Sequence, residues 1–473
     1  MAAFNNFPTV LQPAFQQNML DKRWQDKLES TKVYRKSAYV LPLEKRSGET
    51  MIYSRAGRIS PVYEDIAGSS VTPLDMGATI GGLGASSPVF PMEQFQVNVS
   101  MMEGQAIDLN LIQDELIIAA LFGENVDNLG EQAGLSLDLR AARLGFRAYE
   151  GGSTYCTVTQ TSGNSTIQVD NVYGFDTAFS QVTINGNAFS SGLPAAVSTS
   201  NKLAIVITHA SDGSTEKKNV QSVAFDTSNT SSMIANGLNV GASGTLTLDA
   251  TLSATVTAGD TIQAFDGSVV IRPNGKLNRS LLASTDTIGA QLIINAVAQL
   301  RRNNIKPPLG NGTYPCYIDP VVDAQFFTDP QYQIMSQTNM ESPDFKNARV
   351  AQNFGVTFVP TTNAPAYTTA AGQVTRRAIV CGEKWLQESP FAGVESALRT
   401  MPDGGPADIR LVDRIAFVTR LPIDRAGQVL SQMWWYIGGF VVPTQATINS
   451  LVIPTATAAR YKNAVVVEVA AAS

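Results

Sequence analysis

The sequence has little of what most enzymes and metal proteins depend on. It holds one histidine, His209, and three cysteines, Cys156, Cys316 and Cys381. A single histidine excludes most histidine-based triads, and no G-x-S-x-G, H-E-x-x-H or G-x-x-x-x-G-K-[ST] pattern occurs. Three scattered cysteines give neither a disulfide framework nor the CxxC spacing of zinc sites, and they fit folding in a reducing compartment. Charged residues make up 16% of the chain, with a formal net charge of -6. That balance argues against a dedicated nucleic-acid binder, which is basic overall. No apolar run approaches the roughly 18 residues a membrane span needs. The longest, residues 433–443, is broken by Gly438 and Gly439 and ends at Pro443. The first residues show no charged stretch followed by an apolar one, so no secretory leader is expected. These absences predict no catalytic residues, no metal, no cofactor and no membrane partner.

What is present is a large chain with a periodic pattern. At 473 residues it suggests two or three domains, and 44% hydrophobic content is enough for a sizeable core. The organising stretch is residues 124–152, ending in the pair Gly151-Gly152. Leu135, Leu139, Ala142, Phe146 and Tyr149 recur at helical spacing, and Arg140, Arg143 and Arg147 form a second stripe. The arginines can face a neighbouring subunit, nucleic acid, or local carboxylates such as Glu131 and Asp138. A shorter helix over 108–122, capped by Asp108, is expected to lead into this one.

Residues 153–271 change character: rich in Thr, Ser, Val, Gly and Asn, with turn signals at Asn185-Gly186, Asp212-Gly213 and Asp266-Gly267. They predict an inserted all-β module, a small sandwich or barrel. His209 is expected to be an exposed residue at a strand end, and glycan binding by the module stays open. A helix is predicted over 285–304, capped by Ser284 or Thr285, with Arg301 and Arg302 at its negative end. Then follow a buried strand in residues 313–318, a turn at Asp319-Pro320, a short helix from near Val321, and C-terminal strands. The fold class is therefore α+β.

The N-terminal region is asymmetric. Residues 1–60 hold ten Lys/Arg against five Asp/Glu. Lys22, Arg23, Lys27, Lys32, Arg35 and Lys36 are candidates for contact with a polyanion; a solvated or subunit-bridging arm is the reading that the sequence alone favours. Residues 49–101 predict a two-stranded ribbon with a long Gly- and Pro-rich tip. Its returning strand places Phe95, Val97, Val99 and Met101 on one face. A lone ribbon is marginal in water, so this face is a candidate contact for an adjacent copy. Gly82-x-Gly84 in the tip lacks the strand–helix context of a phosphate loop.

In order and motif together the chain resembles the major capsid protein family of tailed phages, the Johnson shell fold. The resemblance rests on the N-terminal arm, the ribbon closing in FQVNVSM, DLNLIQDELIIAAL, the long helix ending in Gly-Gly, and IINAVAQLRRNNIKPPLGNGTYPCYIDPVVDAQFF. NFGVTFVPT and RRAIVCGEKWL add to it. It covers about residues 1–152 and 272–440. It implies an arm (1–46), an extended loop (47–106), a peripheral domain with a spine helix (107–152), an axial domain (272–407) and returning strands (408–473), with 153–271 as a departure from the minimal pattern. The implied role is an icosahedral shell enclosing double-stranded DNA. The implied partners are copies of the chain in hexamers and pentamers, with scaffold, portal and decoration proteins and non-specific packaged DNA facing the arm. The implied place is the virion, assembled in the host cytoplasm. An attachment or decoration protein, and an encapsulin-like compartment subunit, remain alternatives.

Overall fold

The computed structural model describes residues 19–43, 50–56, 92–110, 120–184, 187–235, 238–308, 312–337, 352–369, 372–391, 407–420, 429–445 and 457–471. The tip containing Gly82-x-Gly84, most of the 108–122 stretch and Asn185-Gly186 lie outside them. Helix and sheet are mixed, so the chain is α+β. Among the described residues no helix is long and apolar enough to cross a membrane. The chain divides into two compact units: Met1–Met51, Gln96–Gly145 and Leu386–Val442; and Ile52–Phe95, Phe146–Trp385 and Pro443–Ser473.

The first unit is built on the thirteen-residue strand Val429–Val441. Gln387–Pro390 and Ile415–Arg420 flank it antiparallel, Tyr39–Val40 extends the sheet on one side and Ala407–Val412 on the other. Ser100–Glu103 and Ile107–Asn110 also pair with it. Asp108 therefore lies in a strand opposite Ser431, not at a helix cap. Pairing to a long, half-apolar strand satisfies the backbone of 107–110 and overrides the local helical pattern. Gly439 is dictated by proximity: a Cβ there would lie 2.5 Å from the Asn98 carbonyl oxygen.

The long helix runs Ala120–Tyr149 and places residues up to Gly145 in this unit. Its buried positions include Val126, Leu129, Ala133, Leu137 and Ala141, while Leu135 and Leu139 are half-buried. The apolar stripe is thus rotated from the expected one over the first turns. Gly130 and Gly134 explain the offset. They let the helix Met19–Thr31 approach closely, with Trp24 and Thr31 where larger side chains would sit. Trp24 is buried and packs 4.8 Å from the Phe417 ring.

The second unit has two cores. Six strands between Ser153 and Ala264 form a sheet in the order Ser153–Tyr155, Thr261–Ala264, Leu203–Thr208, Thr215–Phe225, Gly244–Leu248, Thr166–Val169. A bridge between Cys156 and Val169, with Asp170 N–H donating to the Tyr155 carbonyl at 3.2 Å, joins the first strand to the last. The module is a closed antiparallel barrel, which leaves no open edge. Its filling includes Ile167, Ile205, Ile207, Val220, Leu246 and Ile262. The hairpin Thr177–Ile184 with Asn187–Ala196 branches from it. At the root, Gly152 has φ +79° and a Cβ there would lie 2.8 Å from Gly267 Cα, so entering and leaving backbones touch.

The other core lies on a seven-stranded sheet in the order Val270–Ile271, Ala464–Ala470, Val374–Cys381, Tyr314–Ile318, Val356–Pro360, Gln352–Asn353, with Ala366–Thr368 beside Val374–Cys381. Helix Ala290–Arg302 buries Ile293, Ala296, Val297 and Leu300 against it. It starts later than the sequence predicts. Gly289 is the N-cap, and the Asp329 carboxylate accepts from Ala290 N–H at 2.6 Å. A distant side chain supplies the cap expected of Ser284 or Thr285. Asp319 caps Pro320–Gln325 by accepting from Val321 N–H.

Candidate assembly surfaces and buried ion clusters

The basic arm does not present one cationic face. Lys22, Lys27 and Lys36 are exposed. Arg23 pairs with Asp127 at 2.7 Å and Lys32 with Asp413 at 2.8 Å. Arg35, a candidate for phosphate contact, is 3% exposed and out of reach of one. It forms a two-pronged pair with Glu388, Nε to Oε2 at 3.0 Å and Nη2 to Oε1 at 2.7 Å, and a third bond from Nη1 to Asp413 at 3.0 Å. A planar guanidinium suits such a fork. The sequence reading missed this because the partners lie more than 350 positions away.

The acceptors are aimed by the tight turn between Ala407–Val412 and Ile415–Arg420. Its two residues, Asp413 and Arg414, both have positive φ, 48° and 70°. That is the geometry of a two-residue hairpin turn, usually given to Asn and Gly. The Asp413 carboxylate is held below its usual range: burial opposes ionisation, but Arg35, Lys32 and Arg414 outweigh it. On the long helix, Asp138 accepts from the backbone N–H groups of Val33 and Arg35, both at 3.0 Å. Burial pushes Asp138 up to about 6, against those same hydrogen bonds. It serves the arm's backbone and not the helix arginines.

The ribbon face is also redistributed. Phe95 and Val97 are buried, Phe95 with its ring 5.5 Å from Tyr53 and Val97 close to Gly439. Val99 falls at a break between Met92–Asn98 and Ser100–Glu103, where the inward parity changes. Met101 consequently points outward at 57% exposure. Of the four apolar candidates, Met101 is exposed and Val99 half-buried, while Phe95 and Val97 are covered by this chain. Of the helix arginines, Arg143 is exposed, Arg140 donates to Ser100 Oγ at 2.6 Å, and Arg147 lies 3.9 Å over the Tyr173 ring. The helix stripe is thus split among three roles.

A second ion cluster lies in the second unit. Arg377 and Glu468 face each other across paired strands, Nη2 to Oε1 at 2.6 Å. Arg377 also contacts Glu150, just past the end of the long helix. Arg272 reaches Glu468 at 2.7 Å, and Arg279 lies 3.8 Å from Asp170 of the barrel. Three arginines and three carboxylates, all buried, balance in charge. Burial favours protonation of Glu468, but Arg377, Arg272 and Arg279 outweigh it and hold the carboxyl down to about 2. Glu150 goes the other way, pushed to about 7 by burial and by the Glu468 charge, which outweigh the pull of Arg377, Arg279 and Arg272. The same burial draws Arg377 down to about 10. The Glu468 pairing is the one the hydrogen-bond geometry supports. A lone Glu in AVVVEVA and adjacent arginines in RRAIVC mark unusual charges in apolar strands, but nothing in the sequence pairs them.

His209 is 6% exposed, contrary to expectation. Its Nδ1 lies 3.0 Å from Asp260, which also accepts from Ala210 and Thr257 N–H at 2.8 Å. The strand end is folded under the 257–260 turn.

No protein-family model and no curated protein matches the sequence. Among solved structures, the chain is similar to the capsid of Ralstonia phage GP4, with 11% identity over 93% of this chain and 92% of that one and a TM-score of 0.45. It is similar to the capsid of Cyanophage P-SCSP1u, with 10% identity over 92% and 87% and a TM-score of 0.44. It is also similar to the capsid asymmetric unit of Cyanophage Pam1, with 11% identity over 92% and 91% and a TM-score of 0.44.

Proposed function

We propose that the chain is a self-assembling shell subunit, the major capsid protein of a tailed phage. The observation that carries the reading is the ribbon Thr50–Ala56 with Met92–Asn98, a sheet of two strands with no third among the described residues. Two strands are marginal in water; this chain covers Phe95 and Val97, and neighbouring copies supply the partners that the ribbon's strand edges lack among the described residues. The order of elements supports the same reading: arm, ribbon, a thirty-residue helix ending before Gly151-Gly152, then helix Ala290–Arg302, strand Tyr314–Ile318 and helix Pro320–Gln325. On this reading the chain performs no reaction. Its partners are further copies in closed rings of five and six, with scaffold, portal and decoration proteins, and its place is the virion. Lys22, Lys27 and Lys36 soften repulsion from packaged DNA by neutralising phosphates without reading sequence.

Sedimentation of the intact chain beside a variant with residues 50–98 replaced by a short Gly/Ser turn tests this. The intact chain is expected to sediment as large assemblies and the variant as a small folded species. Equal, small sedimentation of both contradicts the reading.

A further inference from the structure

The hairpin Thr177–Ile184 with Asn187–Ala196 is a second ribbon of two strands, eight and ten residues long. Each strand pairs with the other and with no third strand, so neither outer edge of the ribbon is paired among the described residues. Its root is fixed from two sides. Arg460 donates to the Thr177 Oγ1 and carbonyl at 2.8 and 2.7 Å and pairs with Asp266 at 2.8 Å. The Asn201 side-chain amide donates to the carbonyl of Ala178 at 3.1 Å. At roughly 3.3 Å per residue, strands of this length extend some 25 Å from that root. Residues 177–201 contain no Asp, Glu, Lys, Arg or His. Open strand edges are normally guarded by charge, above all lysine. An anchored ribbon left open and uncharged fits an edge that is covered.

The second unit carries a complementary place. Val270–Ile271 is the terminal strand of the seven-stranded sheet, paired on one side with Ala464–Ala470 and with no strand on its other side among the described residues. A groove of about 820 Å³ lies between this edge and helix Ala290–Arg302. Asn274, Leu277, Gln291, Leu292, Asn295 and Gln299 are among its lining residues, together with three cations, Arg272, Lys276 and Arg302, of which Arg272 is paired with Glu468. Gln299 is buried, and its side-chain nitrogen has no hydrogen-bond partner. A backbone edge unpaired among the described residues, beside a wall of amides, apolar residues and cations, can take a strand bonded through its main chain, and a strand without Lys or Arg brings no like charge to that wall. No residue of the hairpin lines the groove of its own chain.

We infer that the uncharged hairpin of one copy adds as a strand to the Val270–Ile271 edge in the groove of a second copy. The two surfaces are different, so the contact is head-to-tail, the type that closes into rings. The inference rests on the assembly reading and names the partner surfaces within it.

Full-length chains carrying Asn295→Cys together with Gln181→Cys, Thr183→Cys or Ser190→Cys, oxidised after assembly, test it. At least one pair is expected to give a ladder of disulfide-linked multimers, absent from each variant carrying only one introduced cysteine beside the three buried native ones. Hydrogen exchange on the unmodified chain gives a second readout free of folding defects. Alternate amides in 177–184 or 187–196 are expected to exchange at least tenfold more slowly in particles than in unassembled chain. Particles that form with no ladder and unchanged exchange overturn the inference and leave the assembly reading standing. Absence of particles overturns both.

Discussion

At the residue scale, two buried charge clusters carry most of the specific chemistry, and each makes a testable demand. Arg35 is buried against Glu388, and it also holds the partly exposed Asp413. Removing one member of a buried pair strands the other, so Arg35→Ala is expected to destabilise the fold by about 3–5 kcal/mol in denaturant unfolding. Lys22→Gln, Lys27→Gln and Lys36→Gln, all at exposed positions, are expected to stay within about 0.5 kcal/mol of the parent. The second cluster sets a pH dependence. The carboxyl of Glu468, held near 2, binds protons less readily folded than unfolded. Its contribution is therefore complete above about pH 4.5 and is lost as pH falls toward 2. Glu468→Gln is expected to cost about 3–5 kcal/mol at pH 7 and to flatten the decline between pH 4.5 and 2 in pH-resolved thermal melts. An unchanged acid limb in the variant would remove Glu468 from that role.

At the element scale, close backbone approach explains positions that propensity does not. Gly439 lies within the long central strand, where glycine is unfavourable, because the Asn98 carbonyl occupies the space of a side chain. Gly439→Ala is expected to destabilise by about 1–3 kcal/mol, despite better strand propensity, read from the denaturation midpoint. The same logic shows where the sequence was legible. Helix Ala290–Arg302 could be read because its apolar residues repeat at the helical period over a full core face, and the Gly151-Gly152 stop because a left-handed residue is needed there. Its start could not be read, since the cap comes from Asp329, forty residues on. Nor could the strand Ile107–Asn110, whose residues look helical until Val429–Val441 pairs with them. The split of Phe95 and Val97 from Met101 depends on one break at Val99, which changes the parity of every later side chain.

At the scale of the whole molecule, the barrel is a module with its own core, closed edges and a root where Gly152 and Gly267 touch. Residues 151–268 expressed alone are expected to unfold cooperatively on heating and to give dispersed amide resonances; a collapsed spectrum would show that the barrel depends on its host. The turn signals made this β-rich region visible in sequence, whereas barrel closure through Cys156 and Val169 is a long-range pairing that no local pattern encodes. The ion clusters were hidden for the same reason, their members being brought together from Glu150, Asp170, Arg272, Arg279, Arg377 and Glu468 by topology alone.

On the proposed assembly, two ribbons of two strands, one charged at neither edge, carry the central demand for further copies of the chain. Electron microscopy of the purified chain, concentrated at neutral pH alone and with co-expressed proteins from its own genome, addresses that demand most directly. Closed, uniform shells with fivefold and sixfold rings are predicted. Dispersed single chains under every condition, with the Thr50–Ala56 and Met92–Asn98 amides as protected as the core, would contradict the account.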